Sequence, residues 1–169
     1  MIPPSPWVVR HLAQVSASGR ILDLACGSGR HARWLVAQGR SVLAVDRDRV
    51  ALAGLQGLPG VVVLAADLET DDWPLAGQRF AGVIVTNYLW RPRLSDVCAL
   101  LAESGVLIYE TFMVGNEAYG KPSNPDFLLH PQELRDVARA AGLREIAFEE
   151  GYTATPKPAL RQAICAARE

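Results

Sequence analysis

The chain has 169 residues, half of them hydrophobic and 21% charged, and its formal net charge is −1. This length predicts a single domain, residues 1–169, because a cofactor domain plus a separate catalytic domain would need a longer chain. The near-neutral charge gives no indication of a nucleic-acid partner, and no apolar run approaches the roughly 18–20 residues of a membrane span.

The N-terminal segment, residues 1–19, predicts a helix ahead of the first strand. Ser5 suits the N-cap position, Pro6 suits the first helical turn, and we expect the helix to cover residues 6–16. The residues expected to share one face of this helix are Val9, Leu12, Ala13 and Ser16. We expect the segment to cover one side of the glycine turn that follows. It lacks the basic and apolar regions of a secretory signal.

The stretch from Ile21 to Asp46 predicts a strand, a glycine-containing turn, a helix and a second strand. Ile21–Ala25 is an apolar run, residues 26–29 are Cys-Gly-Ser-Gly, and Val42–Val45 is a second apolar run that leads into Asp46. Such a βαβ unit can hold a nucleoside, because glycines allow close approach of a ligand and the carboxylate can accept hydrogen bonds from ribose hydroxyls.

Two cofactor classes are compatible with this unit. Residues 27–32 satisfy the dinucleotide pattern G-x-G-x-x-A. Asp23 argues against a dinucleotide, because it places a carboxylate inside the first strand, where burial is costly unless the group has partners.

The spacing Asp23-x-Ala25-x-Gly27-x-Gly29 resembles motif I of the class I S-adenosylmethionine-dependent methyltransferases. The chain departs from that motif in having Ala25 where the first glycine is usual. The resemblance implies that Asp23 lies near the methionine end of the cofactor and organises the turn around its amino group.

The next elements extend the resemblance. Residues 47–56 predict a helix and Val61–Ala65 a third strand, which is followed by Asp67. In class I methyltransferases, an aspartate after the third strand accepts a hydrogen bond from the adenine amino group.

The middle of the chain predicts two more parallel strands. Phe80–Val85 and Gly105–Glu110 are apolar runs, and the helix between them is expected at Arg93–Glu103. Because ligands bind at the carboxyl ends of parallel strands, we expect five polar side chains to converge on one rim. These are Asp23, Asp46, Asp67, Asn87 and Glu110.

The C-terminal third predicts a long irregular segment, a helix and a hairpin. Residues 111–130 contain two glycines and two prolines and are too long for an ordinary connection, which favours a substrate lid. Pro131–Ala141 predicts a helix, and Leu143–Glu149 and Leu160–Ala167 predict two final strands. In class I methyltransferases the last strand is antiparallel.

The fold class predicted is therefore α/β: a Rossmann-like class I methyltransferase fold. Its seven-stranded, mostly parallel sheet has an antiparallel last strand and helices on both faces. The resemblance covers residues 21–167 and is nearest to the small tellurite-resistance-type methyltransferases. It implies methyl transfer from S-adenosyl-L-methionine to a small molecule by in-line displacement. The alternatives are a non-catalytic module that binds this cofactor and a nicotinamide-dependent reductase.

The resemblance implies the cofactor-binding residues, and the positions of side chains after the fourth and fifth strands suggest the acceptor residues. Those expected to bind the cofactor are Asp23, Ala25, Gly27, Gly29, Arg30, Asp46, Arg47, Asp67, Leu68, Asn87 and Leu89. Those expected near the acceptor are Trp90, Arg91, Asn116 and Lys121, with Tyr88, Glu110 and Tyr119 as catalytic candidates. No Cys/His spacing indicates a metal site, and three widely spaced cysteines suggest reduced thiols in a cytoplasmic protein. The sequence does not determine the oligomeric state.

Overall fold

The computed structural model describes residues 1–169 and has one seven-stranded sheet in the order β3-β2-β1-β4-β5-β7-β6. The strands are β1 (Arg20–Leu24), β2 (Ser41–Asp46), β3 (Val61–Ala65), β4 (Phe80–Thr86), β5 (Leu101–Phe112), β6 (Arg144–Thr153) and β7 (Ala159–Ala167). The first five strands are parallel, and β7 runs antiparallel to both its neighbours, β5 and β6. The predicted fold class is confirmed.

Five α-helices lie before or between the strands. They are α1 (Pro6–His11), α2 (Arg30–Ala37), α3 (Arg49–Ala53), α4 (Leu94–Ala99) and α5 (Glu133–Ala140). Short 3₁₀ turns cover Leu12–Gln14, Arg91–Arg93, Asn116–Ala118 and Pro125–Phe127. None of the helices has both the length and the hydropathy needed to cross a bilayer.

The core consists of two hydrophobic clusters on opposite faces of the sheet. Leu22 and Leu24 of β1 belong to the cluster that includes α4 and α5, whereas Ile21 packs with α1, α2 and α3. This alternation follows from the two-residue period of a strand, which sends successive side chains to opposite faces. The helices therefore cover both faces and leave the rim at the carboxyl ends of the strands for a ligand.

The face expected to contain Val9, Leu12, Ala13 and Ser16 is not the buried face of the N-terminal helix. Trp7, Val8 and His11 are buried, whereas Val9 is 46% exposed. The indole Nε1 of Trp7 donates a hydrogen bond to the carbonyl of Ile164 at 3.1 Å. The α-helix has only six residues before it tightens into a 3₁₀ turn, so a 3.6-residue period does not continue to residue 16. Its largest apolar side chain, Trp7, determines which face is buried.

The helix predicted over Arg93–Glu103 is also too long, because α4 ends at Ala99 and Leu101 already pairs with Phe80 as part of β5. The register of β5 against β4 then shifts, and Ser104, within the shifted stretch, has a φ of +62°. A Cβ on Gly105 would lie 2.7 Å from the carbonyl oxygen of Ala102, so only glycine fits there. The helix predicted over residues 47–56 is likewise reduced to α3, which the side chain of Asp48 caps.

The segment 111–130 is attached to the sheet at both ends. Its first two residues belong to β5, and the amide of Val114 donates to the carbonyl of Leu129 at 2.9 Å. The amide of Leu129 in turn donates to the carbonyl of Phe112 at 3.0 Å. The residues between these contacts, 115–128, form the irregular excursion that the sequence predicts.

Candidate active site

The turn between β1 and α2 lies at the rim of the sheet and contains three residues with positive φ. Ala25, Gly27 and Gly29 have φ values of +54°, +57° and +81°. A Cβ on Gly29 would lie 2.5 Å from a methyl group of Leu55, so this position requires glycine for space as well as for conformation. A Cβ on Gly27 would meet nothing within 4 Å, so the space in front of this glycine is open to a ligand.

Asp46, the last residue of β2, is fixed by two backbone amides. Its Oδ2 accepts from Gly27 N at 2.8 Å and its Oδ1 accepts from Asp48 N at 2.9 Å. A carboxylate has about four lone-pair sites, so each oxygen keeps capacity for one more donor. The carboxylate lines the adjacent cleft, where two neighbouring hydroxyl groups can use that capacity.

Asp23 lies beneath the turn and is 2% exposed. Its Oδ2 accepts from Ala32 N, in the first turn of α2, at 3.0 Å. Burial raises the pKa of Asp23 to about 7, an effect that this hydrogen bond and the nearby charge of Arg30 only partly offset. The carboxylate has no cation in direct contact, so an ammonium group placed near it would stabilise its charged form.

The cleft beside the turn has a volume of about 240 Å³. Its walls are Ala25, Asp46, Arg47, Ala66, Asp67, Leu68, Glu69, Asn87 and Tyr88. Three carboxylates face it against one guanidinium, which favours a ligand carrying positive charge and disfavours the pyrophosphate of a dinucleotide.

S-adenosylmethionine fits this donor and acceptor set. Asp46 retains acceptor capacity for two ribose hydroxyls. Asp67 uses Oδ1 to accept from Glu69 N at 2.9 Å, which leaves Oδ2 for an adenine amino group. The apolar surfaces of Ala25, Ala66 and Leu68 provide contacts for a planar base.

Six of the eleven predicted cofactor residues line this cleft: Ala25, Asp46, Arg47, Asp67, Leu68 and Asn87. Asp23, Gly27 and Gly29 lie at the end of β1 or in the turn that follows it, and Leu89 and Arg30 make other contacts. Leu89 is 3% exposed and packs in the core cluster with α4 and α5. Arg30, the first residue of α2, donates through Nη1 to the carbonyl of Pro3 at 3.2 Å. This contact holds the N-terminal segment against the start of α2.

Tyr88 lies on the side of the cleft that faces Glu69. Its hydroxyl donates to Glu69 Oε1 at 3.5 Å, and burial together with this carboxylate raises the pKa of Tyr88. A phenol with a raised pKa stays protonated at neutral pH, so Tyr88 serves as a hydrogen-bond donor. Tyr109 fixes the backbone here by donating its hydroxyl to the carbonyl of Tyr88 at 2.7 Å.

Glu110 lies at the rim next to an arginine that the sequence analysis did not identify. The side chains of Glu110 and Arg161 are 12% and 15% exposed, and Nη2 of Arg161 is 3.7 Å from Glu110 Oε2. The same Nη2 donates to Asn87 Oδ1 at 2.7 Å. An antiparallel last strand was expected, and its first residues must lie at this rim. Arg161, the one charged residue of β7, was therefore the feature of the sequence that could have identified this neighbour of Glu110.

The residues predicted near the acceptor are dispersed. Asn116 is 1% exposed. Its Nδ2 donates to the carbonyl of Pro122, and its Oδ1 accepts from the backbone amide of Leu160. Tyr119 is 48% exposed and packs on Tyr152 of β6, with the ring centroids 5.5 Å apart. Trp90 is partly buried and Lys121 is exposed.

Arg91, also predicted near the acceptor, anchors the 111–130 segment. Its Nε and Nη2 donate to the carboxylate of Glu133 at 2.8 and 2.9 Å. Its other donors bind the carbonyls of Asp126 and Leu128. Four acceptors therefore occupy this guanidinium.

We expect Arg91→Ala to lower the free energy of unfolding by about 1–3 kcal/mol, because a half-buried charge-assisted network is lost. The matched control is Arg139→Ala, since the pair between Arg139 and Asp136 is 73% and 65% exposed and should contribute almost nothing. Urea unfolding of both variants measures the difference. Equal stability losses would contradict the anchoring role of Arg91.

Half of the chain matches a known protein family. The family model described as "Methyltransferase domain" matches residues 21–105, which is half of the chain and includes β1 to β4 with the turn and cleft. The chain belongs to the methyltransferase domain family. This family assignment agrees with the motif I resemblance, which implies S-adenosylmethionine as the cofactor.

Similar proteins agree with this assignment. The chain is 29% identical over 150 residues to the tRNA U34 carboxymethyltransferase of Methylococcus capsulatus, covering 76% of the chain and 46% of that relative. TehB from Haemophilus influenzae has the same fold, with a TM-score of 0.77 at 15% identity over 96% of this chain and 61% of its own. A third is the 1,6-didemethyltoxoflavin-N1-methyltransferase of Burkholderia thailandensis, with a TM-score of 0.67 at 19% identity over 96% of this chain and 76% of its own.

The chain spans about half the length of the curated relative it matches. The predicted resemblance to a small class I methyltransferase is nevertheless confirmed, both by the family match and by the shared fold. The match to a methyltransferase family favours this class over the nicotinamide alternative.

Proposed function

We propose that this protein transfers a methyl group from S-adenosylmethionine to a small-molecule acceptor. The observation that carries the proposal is the cleft lined by Asp46, whose carboxylate is fixed by the amides of Gly27 and Asp48. The Burkholderia neighbour, described with bound 1,6-didemethyltoxoflavin, supports a small acceptor by analogy.

Bound S-adenosylmethionine supplies a methyl group on a sulfonium that is already a good leaving group. The protein therefore contributes mainly binding and orientation, which can account for roughly 7–11 kcal/mol of a barrier. Asp46 and Asp67 hold the nucleoside, and Asp23 faces the methionine end. Asn87 and Glu110 border the side from which an acceptor approaches.

A tRNA acceptor is the alternative suggested by the name of the Methylococcus relative. The chain's net charge of −1 and isoelectric point near 6.3 disfavour it, because RNA-binding surfaces are normally strongly basic. We also consider a non-catalytic module that binds the cofactor. Release of S-adenosylhomocysteine with a panel of small thiols, amines, hydroxyl compounds and oxyanions, against a tRNA mixture, separates the three cases. Turnover with tRNA alone would overturn the proposal of a small acceptor.

Glu110 is the carboxylate best placed to accept a proton from an acceptor. It is on β5, next to Thr86 of β4, and its side chain is mostly buried beside Asn87 and Arg161. We expect Glu110→Gln to slow transfer to a hydroxyl or amine acceptor by about 10²–10⁴-fold, the usual contribution of a general base. S-adenosylhomocysteine affinity should stay unchanged, because Glu110 does not line the cofactor cleft.

The control for this variant is chemical. A thiolate acceptor needs no base, so Glu110→Gln should leave its turnover within a few-fold of wild type. An equal loss for thiol and hydroxyl acceptors would mean that Glu110 supports the structure of the site and does not transfer a proton. Steady-state assays of S-adenosylhomocysteine release measure both rates.

We propose that segment 111–130 borders the acceptor site and that the N-terminal residues 1–19 cover the cofactor site. The contacts that support this arrangement are those of Asn116 with Leu160 of β7 and of Arg30 with Pro3. Trp90, Lys121 and Tyr119 then belong to the outer wall. Tyr119 is the most remote of them, since it packs on the edge strand β6.

A further inference from the structure

Arg161 lies at the rim of the sheet, on the side where an acceptor would enter. It is the third residue of β7 and pairs with Phe112 of β5 and Gly151 of β6. Because β7 is antiparallel, this early residue lies where the parallel strands β4 and β5 end. A cationic side chain is thereby placed beside Asn87 and Glu110.

The guanidinium of Arg161 is mostly buried but makes few contacts. Its side chain is 15% exposed, and its one hydrogen bond runs from Nη2 to Asn87 Oδ1. The carboxylate of Glu110 lies 3.7 Å from the same Nη2, too far for a hydrogen bond. The guanidinium carbon lies over the ring of Phe112, 4.5 Å from the ring centroid, a cation–π contact that helps to hold the group in place.

The free donors distinguish Arg161 from the structural arginines nearby. Arg91 makes four hydrogen bonds and Arg93 makes three, to side chains and carbonyls. Nε and Nη1 of Arg161 donate to no residue, and neither is among the buried nitrogen atoms that lack a partner. Both atoms are therefore accessible from outside the protein.

The charge around Arg161 is incompletely balanced. Burial lowers the pKa of its guanidinium, Glu110 opposes this effect, and the positive charge of Arg30 adds to it. A mostly buried cation with a second cation nearby and a single loosely placed carboxylate gains stability from an anion. The planar fork of a guanidinium suits a carboxylate or another oxyanion.

We propose that Arg161 binds an anionic group of the methyl acceptor, a carboxylate or a comparable oxyanion, through Nε and Nη1. This inference rests on the proposed function and specifies its substrate class: a small anionic acceptor. Asn87 and Phe112 hold the guanidinium in place. Arg161 is then a specificity residue that touches substrate, and Arg91 and Arg93 remain structural.

The test uses the complex of the full chain with S-adenosylhomocysteine. Acetate and benzoate are titrated against the matched neutral probes acetamide and benzamide, with binding followed by ligand-observed NMR. We expect at least one carboxylate to bind and its amide to bind at least tenfold more weakly. Arg161→Gln should weaken carboxylate binding at least tenfold, and Arg161→Lys by an intermediate factor because it retains charge without the fork.

The matched control is Arg10→Gln, which removes the same charge from an exposed arginine paired with Glu149. It should bind the carboxylates like wild type. In Arg161→Gln the new side-chain amide can still donate to Asn87, and unchanged S-adenosylhomocysteine affinity in this variant would show that the site remains folded.

The other possible results contradict either this proposal or the proposed function. If Arg161→Gln weakens S-adenosylhomocysteine binding as much as carboxylate binding, the anion is the cofactor's own carboxylate and the proposal fails. It also fails if no carboxylate binds, or if Arg161→Gln and Arg10→Gln bind carboxylates equally. If S-adenosylhomocysteine itself does not bind wild type, it is the proposed methyltransferase function that fails.

Discussion

Asp46→Ala is expected to weaken S-adenosylhomocysteine binding by about 3 kcal/mol, more than a hundredfold, because two charge-assisted hydrogen bonds to the ribose are lost. The substitution also removes the acceptor that holds Gly27 N at 2.8 Å, so the turn loses its main restraint. Both effects act on the same cleft. Isothermal titration calorimetry of wild type and variant measures the change.

The matched control is the neighbouring carboxylate, Asp48. Its Oδ1 accepts from the amides of Val50 and Ala51 and caps α3, and it does not line the cleft. Asp48→Ala should therefore lower the unfolding free energy by about 1 kcal/mol and leave cofactor affinity unchanged. Comparable loss of affinity in both variants would mean that the cleft is sensitive to any change in this loop and that Asp46 is not a ribose ligand.

Asp23→Asn is expected to change how stability depends on pH. The folded-state pKa of Asp23 is raised from 3.8 to about 7, so the folded protein keeps a proton that the unfolded chain releases. The contribution of this group to stability is complete below about pH 4 and is lost as the pH rises to about 7. Between pH 5 and pH 8, wild type should lose roughly 3 kcal/mol relative to the asparagine variant.

Urea unfolding of the ligand-free proteins at several pH values measures this difference. A constant stability gap from pH 5 to pH 8 would contradict a raised pKa. Binding provides a second measurement. If the cofactor's ammonium group lies near Asp23, it favours the carboxylate, so wild-type affinity for S-adenosylhomocysteine should rise through pH 7 while that of the variant stays flat. Parallel affinity curves would assign Asp23 a purely structural role.

The strands could be predicted because their apolar runs are short, continuous and bounded by glycine, proline or acidic residues. Val61–Ala65 was predicted with its observed bounds, and the final hairpin was recognised with its antiparallel last strand. The Asp23, Gly27 and Gly29 spacing also indicated the cofactor, because few other uses combine a strand carboxylate with a glycine turn.

Helix ends were harder to predict because tertiary contacts determine them. Leu101 has the spacing of a helical core residue, yet it joins β5 because it pairs with Phe80 and the backbone packs closely at Gly105. Val9 is apolar like a core residue, but Trp7 lies on the buried face of the helix and Val9 is exposed. Neither competition is visible in local sequence.

The residue that binds the acceptor could not be predicted, because the sequence does not show which arginine has free hydrogen-bond donors. Arg91 comes shortly after the end of β4 and was predicted to contact substrate. Its guanidinium binds Glu133, 42 residues away, instead. Arg161, 74 residues from Asn87, reaches the rim only because β7 inserts between β5 and β6. Long-range pairing thus determined which charge stayed available.

The central claim is that the cleft beside Gly27 and Asp46 holds S-adenosylmethionine. Calorimetric titration of the wild-type protein with S-adenosylhomocysteine and, separately, with NADH tests it most directly. The structure predicts saturable binding of one S-adenosylhomocysteine per chain and no heat of binding with NADH. Binding of NADH without binding of S-adenosylhomocysteine would contradict the account.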